Sequence, residues 1–293
     1  MASLKEVKTR IASVNSTRKI TSAMKMVASS KLHHAQQAIE SMRPYEHQLA
    51  HIMATFVGNM EGEIDTPYAS EREVKRVAIV LYTSNSSLCG GFNANVIKAF
   101  NHKVALYREQ GIDIVKVFAL GKKAADAANK AGFSITADYA PLLDHPQYDK
   151  AAQVAAEIME MYAKGDIDQA DLIYHHFKSA GSQVLTEETF LPIKLQSETA
   201  NGAKQEKTAE LDFIVEPSKE EIVSQLIPKS LHLKLFTALL DSLASEHAAR
   251  VVAMQVATDN ADDLLRELTL AYNKSRQQAI TNELLDIAGG SMQ

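Results

Sequence analysis

Residues 84–91, with the sequence Ser-Asn-Ser-Ser-Leu-Cys-Gly-Gly, form the segment of this 293-residue chain that most resembles a ligand-binding loop. They follow an apolar run that predicts a strand and precede a stretch that predicts a helix, which is where α/β proteins often hold a phosphate group. The segment has neither the G-x-G-x-x-G spacing nor the lysine of a P-loop. We therefore interpret it as a tight structural turn, with a nucleotide site as the alternative.

Cysteine and histidine could provide a nucleophile or metal ligands. Cys89 is the single cysteine, which excludes an intrachain disulfide, and we expect a small buried side chain because no histidine can be placed beside it. His47 and His51 lie one helical turn apart, but the H-E-x-x-H pattern is absent. His175 and His176 are adjacent on a predicted strand and so point to opposite faces. We predict no metal, no cofactor and no catalytic residue.

Two pairs of adjacent carboxylates could serve acid–base chemistry, namely Glu187 with Glu188 and Asp262 with Asp263. No partner for proton transfer can be assigned to either pair from the sequence. We interpret both pairs as solvated surface.

The glycine distribution divides the chain into segments. Ten of the twelve glycines lie from Gly58 to Gly202. Because glycine and proline mark turns, the two ends are predicted as long helices, with Pro44 and Pro228 as the only candidates for kinks. We predict three domains: a coiled-coil helix over 1–57, a Rossmann-like α/β domain over 58–216 and a second coiled-coil helix over 217–293.

The N-terminal segment carries a helical stripe. Ser3 and Glu6 match a capping box, which predicts a helix start. Apolar residues then recur at helical spacing, although not as a strict heptad. Met24 is counted in this stripe, and we interpret it, with Met26, as core packing. The stripe consists of Leu4, Val7, Ile11, Val14, Ile20, Met24, Val27, Leu32, Ile39, Met42, Leu49 and Phe56.

The C-terminal segment predicts a second long helix. A capping signal lies at Pro217 and Ser218, and about sixty residues beyond Pro228 contain no helix breaker before Gly289. Such a helix spans about 90 Å, whereas a compact globule of this chain length is roughly 50 Å across. A helix of this length needs a partner for its narrow, partly alanine-filled stripe, and we predict an antiparallel pair with the N-terminal helix.

Charge supports this pairing. Residues 1–34 contain seven Lys or Arg and one Glu, a net charge of +6, whereas residues 241–293 carry a net charge of −4. The basic N-terminus could also be a transit peptide or bind nucleic acid. The stripe continues beyond residue 30, against a transit peptide, and no interleaved aromatics support nucleic-acid binding. An acidic protein partner is the favoured interpretation, and a nucleic-acid-binding coiled coil is a rival.

The middle of the chain predicts an α/β sheet. Arg76–Thr83, Ile112–Leu120 and Leu172–Phe177 are β-rich apolar runs, and we place a further strand at Ile135. Crossover helices are predicted over Asn93–Glu109, Lys122–Lys130 and Tyr148–Lys164, further strands near Val184, Phe190–Leu195 and Leu211–Val215, and a polar loop over Ser197–Lys207. No apolar run is long enough to span a membrane.

Three ordered groups of residues resemble the gamma subunit of the rotary F-type ATP synthase. The first lies in the N-terminal helix between Ile11 and Lys31, the second is Leu88–Asn93 and the third extends from Ser245 to Asp286. Asn85, Ser86 and Ser87 depart from the family's Asp-Arg-Gly run, so no charged role is carried over to them.

The resemblance implies a non-catalytic rotor subunit of a bacterial, proton-translocating enzyme. Its coiled coil would enter the ring of alpha and beta subunits, and its α/β domain would contact the epsilon subunit and the membrane c-ring. The expected location is the cytoplasmic side of the inner membrane, as a peripheral protein, with no nucleic acid bound. A runner-up hypothesis is an α/β nucleotide-binding enzyme with a coiled-coil arm.

The resemblance also suggests the residues that grip the beta subunit. Arg276, Gln277, Thr281 and Glu283 match the family's contact positions. Met24 and Lys25 are expected to lie across the coil from them.

Overall fold

The computed structural model describes residues 4–58, 66–70, 72–135, 137–193 and 219–290. In these ranges the chain forms six helices and four strands. In chain order they are α1 (Leu4–Gly58), β1 (Arg76–Tyr82), α2 (Phe92–Glu109), β2 (Asp113–Leu120), α3 (Lys122–Lys130), α4 (Ala140–Asp144), α5 (Tyr148–Ala163), β3 (Gln169–Ser179), β4 (Ser182–Leu191) and α6 (Lys219–Gly290).

The strands form one mixed sheet in the order β2-β1-β3-β4. Strand β1 pairs in parallel with β2 and β3, whereas β3 and β4 form an antiparallel hairpin. Every residue of β1 after Arg76 is buried, as expected for a central strand covered on both faces. The predicted mixed α/β fold with long terminal helices is therefore confirmed.

The predicted helices of the middle segment agree with the structure, and they correspond to α2, α3 and α5. The strands predicted near Val184 and over Phe190–Leu195 are not separate, because Val184 and Phe190 lie in the single strand β4, which ends at Leu191. Ile135 is in an irregular segment after α3, where its side chain packs against the core, so the strand predicted there is wrong. An apolar residue can be buried without a strand to pair with. Ser197–Lys207 and Leu211–Val215 lie outside the described residues, as do residues 194 and 195 of the strand predicted to follow Phe190.

Two apolar layers cover the sheet. On one face Val77, Ile79 and Leu81 pack with residues of α2 and α3. On the other face Val80 and Tyr82 pack with residues of α5 and α6. The alternation follows from the two-residue period of a strand. The central strand thus has a hydrophobic core on each side.

Gly121 joins β2 to α3 at a point where a side chain has no room. Its φ is +119°, and a Cβ atom there would lie 2.6 Å from the carbonyl oxygen of Thr83. The hydroxyl of Thr83 in turn accepts a hydrogen bond from the amide of Ala124, at 2.7 Å. The close approach places the start of α3 against the end of β1.

Helices α1 and α6 continue through Pro44 and Pro228, respectively. The chain divides into two compact units, and both helices contribute to each. Unit 1 comprises Met1–Ser30, Leu88–Gly90 and Arg250–Gln293, and unit 2 comprises Lys31–Ser87 and Gly91–Ala249. The three-domain division at residues 57 and 216 remains a prediction.

No helix in the described ranges combines the length and the apolar character that crossing a membrane requires.

A polar network joins α2 to the sheet within unit 2. The Tyr107 hydroxyl donates to the Asp171 carboxylate, and the Gln169 amide donates to Asp171 at 2.8 Å and to the Tyr107 oxygen at 3.1 Å. The Lys103 ammonium lies 3.3 Å from Asp171 and 3.8 Å from Glu187. Burial, and then the charge of Asp171, raises the pKa of the Tyr107 phenol. Asp171 is therefore a paired carboxylate inside the fold.

Candidate functional site

In unit 1 the two long helices run antiparallel. Arg18 donates to the Asp262 carboxylate at 2.8 Å, the hydroxyls of Thr21 and Thr258 are 2.8 Å apart, and Lys25 donates to the Gln255 side-chain oxygen at 2.7 Å. From the first contact to the third, α1 advances by seven residues while α6 goes back by seven. The predicted antiparallel pairing is confirmed for this unit.

The buried side of α1 differs from the predicted stripe. Ile20 and Val27 are 60% and 59% exposed, whereas Thr21 and Ala28 are buried. One row of covered and half-covered positions follows alternating steps of four and three, and it consists of Val7, Ile11, Val14, Arg18, Thr21, Lys25, Ala28 and Leu32. This row has the heptad spacing that the apolar residues alone do not show, because polar residues occupy three of its positions.

Four of the predicted grip residues lie on the exposed surface of α6. Arg276, Gln277, Thr281 and Glu283 are all exposed. The Thr281 hydroxyl donates to the Gln277 carbonyl at 2.9 Å, which leaves its oxygen as an acceptor. Within the described residues neither Arg276 nor Glu283 has an ion-pair partner in the chain. These side chains could bind a partner without breaking an internal contact.

Contrary to the prediction, Met24 and Lys25 do not lie opposite those four residues. Lys25 bonds to Gln255, which is about 30 Å along α6 from Arg276. In the antiparallel register, the start of α1 lies opposite the later part of α6. The first described residues of α1, around Leu4, therefore come opposite Arg276. Met24 is half-buried and Met26 is exposed, so only Met24 agrees with the predicted packing. The six predicted residues form two separate groups.

Unit 1 also exposes many large apolar side chains. A helix pair in water normally keeps such residues in its seam. Those exposed on α1 are Ile20, Met26 and Val27, and those on α6 are Val252, Val256, Leu264, Leu270, Ile280, Leu284, Leu285 and Ile287. This surface has the chemistry of one that is covered by another protein.

The loop after β1 uses its polar groups to hold itself. The Asn93 side chain accepts from the Ser84 amide at 3.0 Å and donates to the Ser84 hydroxyl oxygen at 2.7 Å and the Ser86 carbonyl at 3.3 Å. Asn85 donates to the Ala140 carbonyl at 2.9 Å and accepts from the amide of Lys122 at 3.2 Å. These bonds support the interpretation of a structural turn over that of a nucleotide site.

The second half of this loop belongs to unit 1. Leu88 has a φ of +69° and an exposed side chain, and Gly90 has a φ of +59°. A Cβ atom on Gly90 would lie 3.9 Å from the side chain of Ala253 in α6. Cys89 is buried, as predicted.

The histidines of β3 point to opposite faces, as predicted. His175 is buried, its ring stacks on Phe92 with the centroids 4.7 Å apart, and burial lowers its pKa to about 4. His176 is half-exposed and lies 2.5 Å from the Asp241 carboxylate, whose pKa is raised by burial. The structure places His47 and His51 within α1 and does not describe their side chains.

Across the described ranges, no three His, Cys, Asp or Glu side chains come together as metal ligands.

All four carboxylates of the two acidic pairs lie in ion pairs. Glu187 and Asp263 are exposed, in agreement with the predicted solvated surface, whereas Glu188 and Asp262 are half-buried. Glu187 reaches Lys103, and Glu188 lies 3.5 Å from the Lys234 ammonium on the other face of β4. Asp262 bonds across the helix pair to Arg18, and only Asp263 is strongly exposed, beside Arg266. All but one of these ion pairs join residues that are far apart in sequence, so spacing alone could not identify them.

Sequence reasoning did not identify the polar contacts between α1 and α6. Arg18, Thr21 and Lys25 follow one another at steps of three and four, and Gln255, Thr258 and Asp262 show the mirrored spacing. That matched pattern was the available signal. It was missed because only apolar residues were counted in the stripe.

Comparison with known proteins assigns the chain to a protein family. Residues 3–292 match the family described as ATP synthase. The chain is similar to the ATP synthase gamma chain of Phocaeicola vulgatus, with 55% identity over the whole of both chains. It is likewise similar to the ATP synthase gamma chain of Bacteroides thetaiotaomicron, with 56% identity over the whole of both chains.

Solved structures share the fold. One chain in the Euglena gracilis mitochondrial ATP synthase, an assembly of OSCP, F1 and c-ring, is 21% identical with a TM-score of 0.59; the match covers 99% of this chain and 93% of that one. A second, in the central stalk and c-ring of the Tetrahymena thermophila mitochondrial ATP synthase, is 24% identical with a TM-score of 0.55; the match covers 81% of this chain and 99% of that one.

Proposed function

This chain belongs to the ATP synthase family, among the gamma chains, and from that premise we propose that it is the central-stalk rotor of a proton-translocating F-type ATP synthase. It carries torque between the membrane rotor ring and the catalytic ring of alpha and beta subunits. The observation that supports this role best is the surface of unit 1, where an antiparallel helix pair exposes both apolar and hydrogen-bonding side chains.

The physical basis is differential binding. Helices α1 and α6 expose different side chains, so subunits arranged around the pair make different contacts with it. A contact that favours one conformation of a beta subunit shifts that subunit's nucleotide affinity. Linkage then requires nucleotide turnover to favour different orientations of the helix pair. Nucleotide chemistry and rotation are coupled in this way.

The residues assigned to contact the beta subunit lie at two positions along the axis of the helix pair, here called two levels. Arg276, Gln277, Thr281 and Glu283 form the level near the end of α6, where their side chains are exposed. The Arg276 guanidinium can make a bidentate bond to a carboxylate, which a lysine cannot reproduce. Met24 and Lys25 form a second level, near Gln255.

The α/β unit is assigned to docking. Its loop at Ser84 bonds internally and offers no charged phosphate ligand, and catalysis is left to the partner subunits. The partners proposed for this unit are the epsilon subunit and the c-ring, with no nucleic acid and no cofactor. The proposed location is the cytoplasmic face of the bacterial inner membrane, as a peripheral subunit.

Reconstitution tests this function. The full chain is combined with alpha, beta and epsilon subunits, and ATP hydrolysis is measured with and without it. We expect the chain to co-purify with the ring and to be required for rotation of a probe attached to unit 2. ATP hydrolysis by the purified chain alone, persisting after alpha and beta subunits have been removed, would contradict the non-catalytic assignment.

A further inference from the structure

We propose that a set of polar side chains between α1 and α6 fixes the register of the helix pair and thereby positions the grip residues. This set, here called the polar layer, consists of Arg18, Thr21 and Lys25 on α1 and Gln255, Thr258 and Asp262 on α6. The role assigned to it in torque transmission rests on the proposed function. Its role in register does not.

The first argument is geometric. Three cross-helix contacts, of 2.8, 2.8 and 2.7 Å, occur at successive seam positions. Gln255 extends the layer by donating to Asp259 at 2.8 Å. A slip of either helix by one residue moves each side chain by 1.5 Å along the axis and by about 100° around it. All three contacts are therefore lost together in any register but this one.

The second argument concerns the two threonines. Thr21 lies within hydrogen-bond distance of the Arg18 carbonyl at 3.0 Å, Thr258 of the Met254 carbonyl at 2.8 Å, and the two hydroxyls of each other. Each hydroxyl has one proton, so two protons serve three contacts. The bond between the helices forms when one threonine gives up its bond to its own backbone. Thr21 is buried, which makes an unpaired hydroxyl there costly.

The third argument is what surrounds the polar layer. The buried seam residues beside it are Ala28, Met254 and Ala261, of which two are alanines. Small side chains let the helices approach closely, but they provide few projecting groups that interlock. Apolar side chains also tolerate a new apolar neighbour, whereas a half-buried ion or amide loses a directional contact when its partner is displaced. Register specificity in this stretch therefore comes from the polar layer.

The consequence for function is positional. Arg276 and Glu283 lie on the same continuous helix as Asp262. A slip of α6 by one turn would shift them by about 5 Å relative to α1. The polar layer thus sets where the grip residues lie relative to the second level at Met24 and Lys25.

Register can be measured directly in the full chain. Spin labels are attached at Lys8→Cys and Asn260→Cys in a Cys89→Ala background. Both positions are exposed in unit 1 and lie about 18 Å apart along the helix axes, so a slip along the axis changes the distance between the labels. We expect one narrow distance distribution when the polar layer is intact. The apolar-layer variant should instead show a broadened distribution or a second distance displaced by about 5 Å. That variant carries Arg18→Met, Thr21→Val, Lys25→Met, Gln255→Leu, Thr258→Val and Asp262→Leu.

A charge exchange covers the case in which the apolar variant fails to fold. Arg18→Asp or Asp262→Arg alone places like charges together and should broaden the distance distribution. The two substitutions combined restore an ion pair and should restore the narrow distribution. The matched control exchanges Asp263 and Arg266, a pair within α6, and should leave the distances unchanged.

The positioning role is then tested in the reconstituted complex. We expect the single charge reversals to reduce ion pumping per ATP hydrolysed severalfold, and the double exchange to return it towards the wild-type value. An unchanged narrow distribution in both the apolar and the single-reversal variants would overturn the register role. Normal coupling in a variant with a broadened distribution would overturn the positioning role. If the wild-type chain does not assemble with the other subunits, the proposed function is contradicted, whereas the spin-label distances still test the register role.

Discussion

Leucines of helix α6 are buried in unit 2 but exposed in unit 1. In unit 2, Leu235 and Leu239 are fully buried against the sheet, whereas in unit 1 Leu270 is 71% exposed. The residue type and the helix are the same, so intrinsic propensity cannot explain the difference. Unit 2 supplies its own cover, and unit 1 leaves apolar surface available to a partner.

Helix α1 shows the same contrast in its seam. Leu32, at the start of unit 2, packs with Ala244 and Ala248 of α6. Thr21, in unit 1, bonds to Thr258. Apolar packing stabilises unit 2 through buried area, and polar contacts add specificity in unit 1 at little net stability. Buried apolar area therefore contributes most of the stability of unit 2, whereas the polar contacts of unit 1 mainly fix how its two helices are aligned.

The largest expected effect on stability is a core deletion in unit 2. Leu239→Ala removes a fully buried side chain and leaves a cavity, which should lower the free energy of unfolding by about 3 to 5 kcal/mol. Urea denaturation followed by circular dichroism measures it. A loss below about 1 kcal/mol would show that α6 is not held by this core.

The second prediction concerns the grip residues in the assembled enzyme. Arg276→Ala and Glu283→Ala should each weaken a desolvated contact with the partner, by about 2 to 5 kcal/mol, and so lower ATP synthesis and rotation-linked hydrolysis. Because both side chains are exposed, the helicity of the isolated chain should not change.

Arg266→Ala is the matched control for the grip experiment. It removes the same charge from the same helix, but Arg266 already pairs with Asp263 at 3.1 Å. Its turnover should stay close to that of the wild type. Normal synthesis in the Arg276 and Glu283 double variant would show that these residues are ordinary solvent-facing helix positions.

A third prediction is an acid sensitivity of unit 2. The pKa of His175 is lowered to about 4, whereas an unfolded histidine titrates near 6.5. The unfolded chain therefore binds more protons as the pH falls, and stability is lost from about pH 6.5 downward. At pH 5 the loss from this group is on the order of 2 kcal/mol.

His175→Phe isolates that contribution, because phenylalanine keeps a ring beside Phe92 but does not titrate. Denaturation midpoints at pH 7 and pH 5 should differ less in this variant than in the wild type. Leu270→Ala, which removes no titratable group, should retain the wild-type pH dependence. An equal pH slope in the His175→Phe variant would rule out His175 as the source.

The smallest effect should come from Leu270→Ala. Its side chain is mostly exposed, so the free energy of unfolding of the isolated chain should change by less than about 0.5 kcal/mol. Leu239→Ala is the same substitution in the same helix at a fully buried position, so the two variants separate the effect of burial from that of residue type. A large destabilisation would mean that Leu270 is covered within the chain itself.

Local patterns predicted most of the elements. The run at Val77 to Tyr82 is β-rich and continuous, so its identity as a buried strand follows from its composition, and it was predicted. The turn residues Ser84 to Gly91 likewise predicted a structural loop. The positions of Arg276 and Glu283 in a long helix followed from the absence of helix breakers, and their functional role was suggested by the resemblance.

Pairing across the chain was harder to predict. Glu187 and Glu188 are adjacent in sequence but bind lysines on opposite faces of β4, and neither partner is near them in the chain. The level of Lys25 on the helix pair was misplaced for the same reason. An ion pair between distant residues depends on where the backbone brings them, which spacing along one element cannot specify.

The amino-acid sequence alone specified the long helices, the strand runs and the family motifs, because propensity, periodicity and turn chemistry act over a few neighbouring residues. Only the tertiary structure decided that Thr21 rather than Ile20 faces α6, that Asp262 is paired, and that His175 is buried. The side chains of a helix point outward all around its axis. Which of them become buried depends on the element that packs against the helix. That choice is made by contacts between residues distant in the chain.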